Sequence, residues 1–384
     1  MQFEGNISSK LPSVSTTIFT VMSKMANDHN AINLSQGFPD FSCHPKLVEL
    51  VDRYMKEGYN QYAPMTGVLP LREQIASKTR ELYGADYDVE KEVTVTAGAT
   101  QALQVAMSTF LHEDDEVIIF EPAYDSYLPC ISLNKAKPVY YKMEAPEYEI
   151  DWKQVMRLIN QKTRMIIINS PHNPTGSVLS EEDLLQLQKL LNDTDIIVLS
   201  DEVYEHIIFD DLAHQSVSRF EKLRDRSIVV SSFGKTFHTT GWKVGYVLAP
   251  ENLMSEFRKV FQFTQFSVAT PIQWALSEFL KEKDHYLELS AFYQQKRDVF
   301  RTYLADSRFK ALPSAGTYFQ CVDYSSISKA GDMKFAEKLI KEFGVASIPV
   351  SSFYRNADDQ KVIRFCFAKS EETLRQAGDI LCKI

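Results

Sequence analysis

Between residues 90 and 250 the chain alternates two hydrophobic patterns. Short apolar runs lacking polar alternation recur as VTVT (93–96), EVIIF (116–120), PVYYK (138–142), RMIIIN (164–169), DIIVLS (195–200), SIVVSS (227–232) and GYVLA (245–249). Strands covered on both faces read this way. Between them lie amphipathic stretches such as TQALQVAMSTFL and SEEDLLQLQKLLND, the second opening on Ser180, an N-cap residue type with acids in the first turn. The alternation predicts an α/β fold with a mostly parallel, seven-stranded sheet and helices on both faces. Past residue 275 the pattern changes. A long charged helical stretch (272–307) leads to AGTYFQCVDY, a further helix, SIPVSSF and VIRFCFA, which predicts a smaller α+β unit. The expected division is an N-terminal arm over 1–35 that joins the small unit, a large domain over 36–275 and a small C-terminal domain over 276–384.

Bulk properties narrow the function classes. A formal net charge of −9 over 384 residues argues against a nucleic-acid surface. No apolar run approaches the length a bilayer needs, and MQFEGNISSKLPS lacks the basic-then-apolar form of a secretion signal. Cys43, Cys130, Cys321, Cys366 and Cys382 form no CxxC pair, which fits reduced thiols in a cytoplasmic protein. The histidines show no HExxH or other ligand spacing, so no metal is expected.

Functional groups of a parallel α/β sheet gather at the carboxyl ends of its strands. Those ends read TAGATQAL, EPAYDSY, NSPHNPTG, SDEVY and SSFGKTFHTTGWKVG. Lys235 follows a buried strand, where desolvation would lower its pKa and suit it to covalent chemistry; a solvated loop lysine is the plain alternative. A phosphate-binding GKT loop fails because Val229, Val230, Ser231 and Ser232 supply no glycine. Asp201 ends an apolar strand and would need a cation if buried, unless it caps a helix. Tyr204 either joins the same ligand or packs. Asn173 sits in a Pro- and Gly-bearing turn that either is only a turn or holds its amide rigid. Gly98, Ala99 and Thr100 are small enough to leave helix N-terminal N–H groups open to a phosphate.

Taken together, SQGFPD (35–40), NQYAPMTGVLPLR (60–72), TAGATQAL, EPAYDSY, NSPHNPTG, SDEVYEH, SSFGKTFHTTGWKVG and VIRFCFA resemble the fold-type I pyridoxal-phosphate enzymes, specifically class I/II aminotransferases, in that family's order and across Ser35 to Ala368. Within that class the chain looks most similar to bacterial methionine and kynurenine aminotransferases. The resemblance implies that Lys235 binds pyridoxal 5′-phosphate covalently and shuttles a proton, and that Asp201 pairs with the pyridine nitrogen. It implies that Asn173 and Tyr204 bond the ring oxygen and Tyr124 stacks on the ring. The phosphate would meet Ala99, Thr100, Ser232 and Lys243, the last standing where many relatives carry arginine, with Tyr62 arriving from the second subunit of a homodimer. Arg364 would grip the substrate carboxylate, helped by Asn169 and the Gly37 backbone. Two half-reactions sharing one site would move an amino group from an amino acid to a 2-oxo acid.

The stretch 261–274 has no arginine or lysine for a second substrate carboxylate and carries Phe261, Phe263 and Phe266 instead. This favours methionine or an aromatic donor, kynurenine included, unless these rings are simply helix core. A cysteine-conjugate β-lyase is the rival within enzymes. A ligand-sensing regulator is the rival outside them, disfavoured by the intact Lys235, Asp201 and Arg364. Glu121–Pro122 and Asn173–Pro174 are candidates for cis bonds.

Overall fold

The computed structural model describes residues 5–12 and 14–384. Residues 1–4 and 13, within the expected N-terminal arm, lie outside the described residues.

Seven strands form the central sheet in the order Val93–Thr96, Gly245–Leu248, Ser227–Ser232, Ile197–Asp201, Thr163–Asn169, Glu116–Glu121, Lys137–Lys142. Every pairing is parallel except the two made by Gly245–Leu248, which runs against its neighbours. The interior strands are buried along nearly their whole length, as the unbroken Val/Ile runs require. The Ile197–Asp201 strand starts two residues later than its apolar pattern suggests. The carbonyls of Asp195 and Ile196 are taken by the guanidinium groups of Arg164 and Arg226. The helix Glu181–Leu190 opens on Ser180 with a reciprocal capping box to Asp183.

The charged stretch after 270 is not one helix. It divides into Thr270–Phe279, Asp284–Leu287 and Leu289–Ala305. The break carries neither glycine nor proline and is set by packing, with the Phe279 and His285 rings stacked 3.8 Å apart across it. Beyond it, Ile348–Pro349, Val362–Cys366, Phe319–Asp323 and Lys310–Ala311 make an antiparallel four-stranded sheet. The helix Ile18–Asp28 packs Met22 and Ala26 against Ala336, Ile340 and Ile348. The N-terminal segment therefore rests on the C-terminal sheet region. Glu121–Pro122 and Asn173–Pro174 are cis, as are Ala145–Pro146 and Ser170–Pro171. Among the described residues no helix is long and apolar enough to cross a membrane, and no His/Cys/Asp/Glu group is placed to hold a metal.

Candidate active site

Strand register brings the chemistry together. Asn169 pairs with Asp201, and Ser232 and Thr96 both pair with Gly245, so five chain segments end side by side at one sheet edge. There they enclose a cavity of about 160 Å³ lined by Ala99, Thr100, Tyr124, Asn169, Asn173 and Asp201. Tyr204, Ser232, Lys235 and Lys243 complete the wall. Gly245 has to be glycine, because a Cβ there would lie 2.6 Å from the Ser231 carbonyl oxygen and 3.2 Å from the Ala99 nitrogen. The reversed strand can therefore pass close beneath the helix that begins at Ala99.

That helix, Ala99–Phe110, starts from Gly98 at φ 81° with no side-chain cap. A Cβ on Gly98 would sit 3.5 Å from the Lys243 Nζ, so the ammonium hangs over the helix N-terminus. Lys243 itself holds a left-handed backbone, φ 55°. Open N–H groups, a helix dipole and a cation converge, with Ser232 beside them, on a pocket shaped for a phosphate-like anion.

On the other side of the cavity lies Asp201. It is not a helix cap; it closes its strand, buried, and its side chain accepts from the Tyr127 hydroxyl at 2.7 Å and the Val203 N–H at 3.4 Å. Neither partner is a cation. Burial accordingly pushes its carboxyl up to about 6, against the pull of the Tyr127 hydrogen bond. Lys235 is shifted the other way. Burial lowers its amine to about 8, with the charges of Arg364 and Lys243 acting in the same sense. A buried carboxylate with no cation among its hydrogen-bond partners, an amine of lowered pKa, an anion cradle and the Tyr124 ring thus share one cavity. They fit a flat, protonated heteroaromatic ring bearing a phosphate and a lysine-reactive carbonyl.

Arg364 is fully buried beside this cavity. It donates from Nη1 to the Asn173 Oδ1 at 2.7 Å and from Nη2 to the Ser35 carbonyl at 3.1 Å, while its Nε has no partner among the described residues. Its guanidinium lies 3.8 Å over the Phe319 ring, with Phe19 and Phe353 at 5.4 and 5.5 Å. Asn169 is fixed by backbone: it donates to the Asp201 carbonyl at 2.9 Å and accepts from the Asn173 N–H at 2.9 Å. Gly37 reaches the site through its carbonyl, which accepts from the Lys235 amine at 3.2 Å.

Within one chain the aromatic residues fall as follows, Tyr62 having been expected from a second subunit and not from its own. Tyr62 does not reach the cavity; it is 81% exposed and packs edge-on against Phe266 at 5.3 Å. Phe261 is core, stacked on Phe257. Phe263 and Phe266 are neither helix core nor cavity wall but exposed, Phe263 at 87%. Two residues that the strand-end reading passed over belong to the site. Tyr127 holds Asp201, and Tyr318 takes the Lys235 amine at 3.0 Å. Tyr127 lies three residues past Tyr124 in EPAYDSY and was within reach of a helical-spacing argument. Tyr318 comes from the second sheet region, and nothing local in AGTYF signals it.

The fold and this cavity define a class, and comparison agrees: the family profile of aminotransferase class I and II matches residues 29–381, and the chain belongs to that family. It is a pyridoxal-phosphate-dependent aminotransferase of fold type I. The methionine aminotransferase of Escherichia coli (strain K12) is 48% identical over 374 residues, 97% of each chain. A solved E. coli structure reported with a methionine aminotransferase function superposes with a TM-score of 0.97, covering 99% of this chain and 100% of that one at 48% identity. Human kynurenine–oxoglutarate transaminase 1 is 31% identical, with 94% of each chain covered. The N-succinyldiaminopimelate aminotransferase structure from Mycobacterium tuberculosis gives a TM-score of 0.94 at 35% identity, covering 98% of this chain and all of that one.

Proposed function

We propose that this aminotransferase takes methionine or an aromatic amino acid, kynurenine among them, as donor and passes the amino group to a 2-oxo acid. We propose that it works as a cytoplasmic homodimer, each chain divided into a large domain over 36–275 and a small one formed by 276–384 with the N-terminal arm. One observation carries the donor reading. The buried Arg364, the group that would grip the substrate carboxylate, is packed by Phe19, Phe319 and Phe353, so its surroundings are apolar. A second side-chain carboxylate in that setting would be costly to bury. The methionine and kynurenine relatives support the same reading.

Each residue then has a chemical task. The bidentate fork of Arg364 fixes the α-carboxylate and so the direction of the Cα–H bond. Lys235 holds the cofactor, and its released amine takes the Cα proton and returns it. With its pKa near 8 the amine is close to the operating pH, which suits a group that is first base and then acid. The Asp201 carboxylate would keep a proton on the ring nitrogen, and Tyr127 keeps Asp201 in place. Asn173 and Tyr204 would meet the ring oxygen. Ala99, Thr100, Ser232 and Lys243 would hold the phosphate, and Tyr62 of a second copy would close that end. Pyridoxal phosphate, when bound, supplies the electron sink that stabilises the charge left at Cα.

An absorbance spectrum tests this. The purified holoenzyme should show a visible cofactor band that methionine alone removes, and Lys235→Ala should lack the band. A band that persists with methionine while pyruvate and ammonia accumulate from a cysteine conjugate would replace this reading with the β-lyase.

A further inference from the structure

The geometry points to Tyr318 as a positioning residue: with the Gly37 carbonyl it forms the seat in which the Lys235 amine is held for proton transfer whenever that amine is not bonded to the cofactor. The inference rests on the proposed role of Lys235 and deepens it.

Lys235 Nζ donates to the Tyr318 hydroxyl at 3.0 Å and to the Gly37 carbonyl at 3.2 Å, and the Tyr318 hydroxyl donates to the same carbonyl at 2.6 Å. The three groups close a triangle of hydrogen bonds in which every donor is used in one sense. A buried phenol is satisfied by one acceptor, and the Gly37 carbonyl already provides it. The lone pair turned to Lys235 is therefore surplus to packing. Burial holds the phenol neutral, so it meets an ammonium as an acceptor and a free amine as a mild partner.

Both sides of the seat are fixed. The Tyr318 ring is gripped edge-on by Tyr204 and Phe319, at 5.2 and 4.9 Å, and is packed at a tilt by Tyr293 at 5.6 Å. The Gly37 carbonyl sits on a strap that fits tightly against Phe319, since a Cβ at Gly37 would come within 2.9 Å of that ring. The strap is fastened to the C-terminal region at several points. The Leu34 and Ser35 carbonyls accept from the Cys366 N–H at 2.8 Å and Arg364 at 3.1 Å. The Asp40 carboxylate takes the Ser370 N–H at 2.6 Å and the Thr373 hydroxyl at 2.7 Å. The same strap thus touches the carboxylate-binding arginine and the proton-carrying lysine.

Two acceptors on the amine favour its charged form and offset part of the desolvation. The titratable groups facing the amine from the surrounding elements are Asp201, Tyr204, Lys243, Tyr318, Arg364 and Cys366. Tyr318→Phe removes one acceptor and keeps the ring. In the cofactor-free full-length chain, pH-dependent acylation of Lys235, read by peptide mass spectrometry, should move its midpoint down by about half a unit or more. In the holoenzyme, kcat with methionine should fall about 10-fold or more while KM changes little, and the isotope effect from Cα-deuterated methionine should rise. A midpoint and an isotope effect unchanged from the parent would overturn the inference, leaving Tyr318 as packing. If Lys235→Ala keeps the cofactor band and turnover, the underlying assignment of Lys235 fails instead, whatever Tyr318→Phe does.

Discussion

Asp201 is a buried carboxyl whose cost to stability can be measured apart from the role proposed for it. Its folded pKa of about 6 lies above the ordinary aspartate value of about 3.9. A raised folded pKa means the folded chain holds the proton more tightly, so this contribution is complete below pH about 4 and lost as pH rises through 6. Cofactor-free Asp201→Asn lacks that loss. The unfolding free energy of the parent, measured against the variant, should fall by about 2–3 kcal/mol between pH 4 and 7. With cofactor and methionine the order reverses, and the variant's half-reaction should slow by about 100-fold or more in stopped flow, because an amide cannot keep the ring nitrogen charged. Arg364→Lys keeps the charge but loses the fork, so kcat/KM for methionine should drop by about 100-fold, mostly through KM. Lys235, Asp201 and Asn173 were legible because each ends or follows an unbroken apolar strand. Tyr318 was not, and Gly37 was expected only at the substrate carboxylate; the packing of the second sheet region and the N-terminal strap against the first is what brings both to the lysine.

Elements are held at the site by a second buried network just past the end of the Asp201 strand. The Glu205 carboxylate accepts from Lys78 at 2.7 Å, Tyr83 at 2.6 Å, Ser231 at 2.6 Å and Tyr246 at 2.8 Å. Burial opposes its charge, yet Lys78 and these donors hold it well below the usual carboxylate range. The partners come from a helix and two strands, so one carboxylate fastens the turn after Asp201 to its neighbours. Lys78→Met would strand that charge and should cost about 3–5 kcal/mol in urea unfolding, most of it recovered in Lys78→Met/Glu205→Leu. A loss that the double variant fails to recover would mean that the packing of the Lys78 stem, not the charge, carries the effect. Strand positions were readable from composition because burial on both faces leaves a plain apolar signature. The reversed direction of Gly245–Leu248 and the break near residue 282 were not, since neither direction nor a packing-driven break alters the local pattern.

At the scale of the molecule, a single chain leaves Tyr62, Phe263 and Phe266 on its surface, an aromatic patch that a second copy can cover. If Tyr62 completes a neighbour's site, Tyr62→Ala and Lys235→Ala chains, each weak alone, should regain activity when unfolded and refolded together. A hybrid dimer then carries one intact site and one doubly damaged one. A mixture no more active than its parts would confine Tyr62 to its own subunit. The sealed setting of Arg364 has a further consequence for the company this enzyme keeps. Its fork is already engaged by the Asn173 amide and the Ser35 carbonyl, both uncharged. If Arg364 is the substrate's grip, as proposed, an incoming solute must outbid those partners, and a carboxylate can do so where an amide or alcohol merely breaks even. Decarboxylated amines and amino alcohols should then be turned away at the door, a filtering of amines by charge before any chemistry begins.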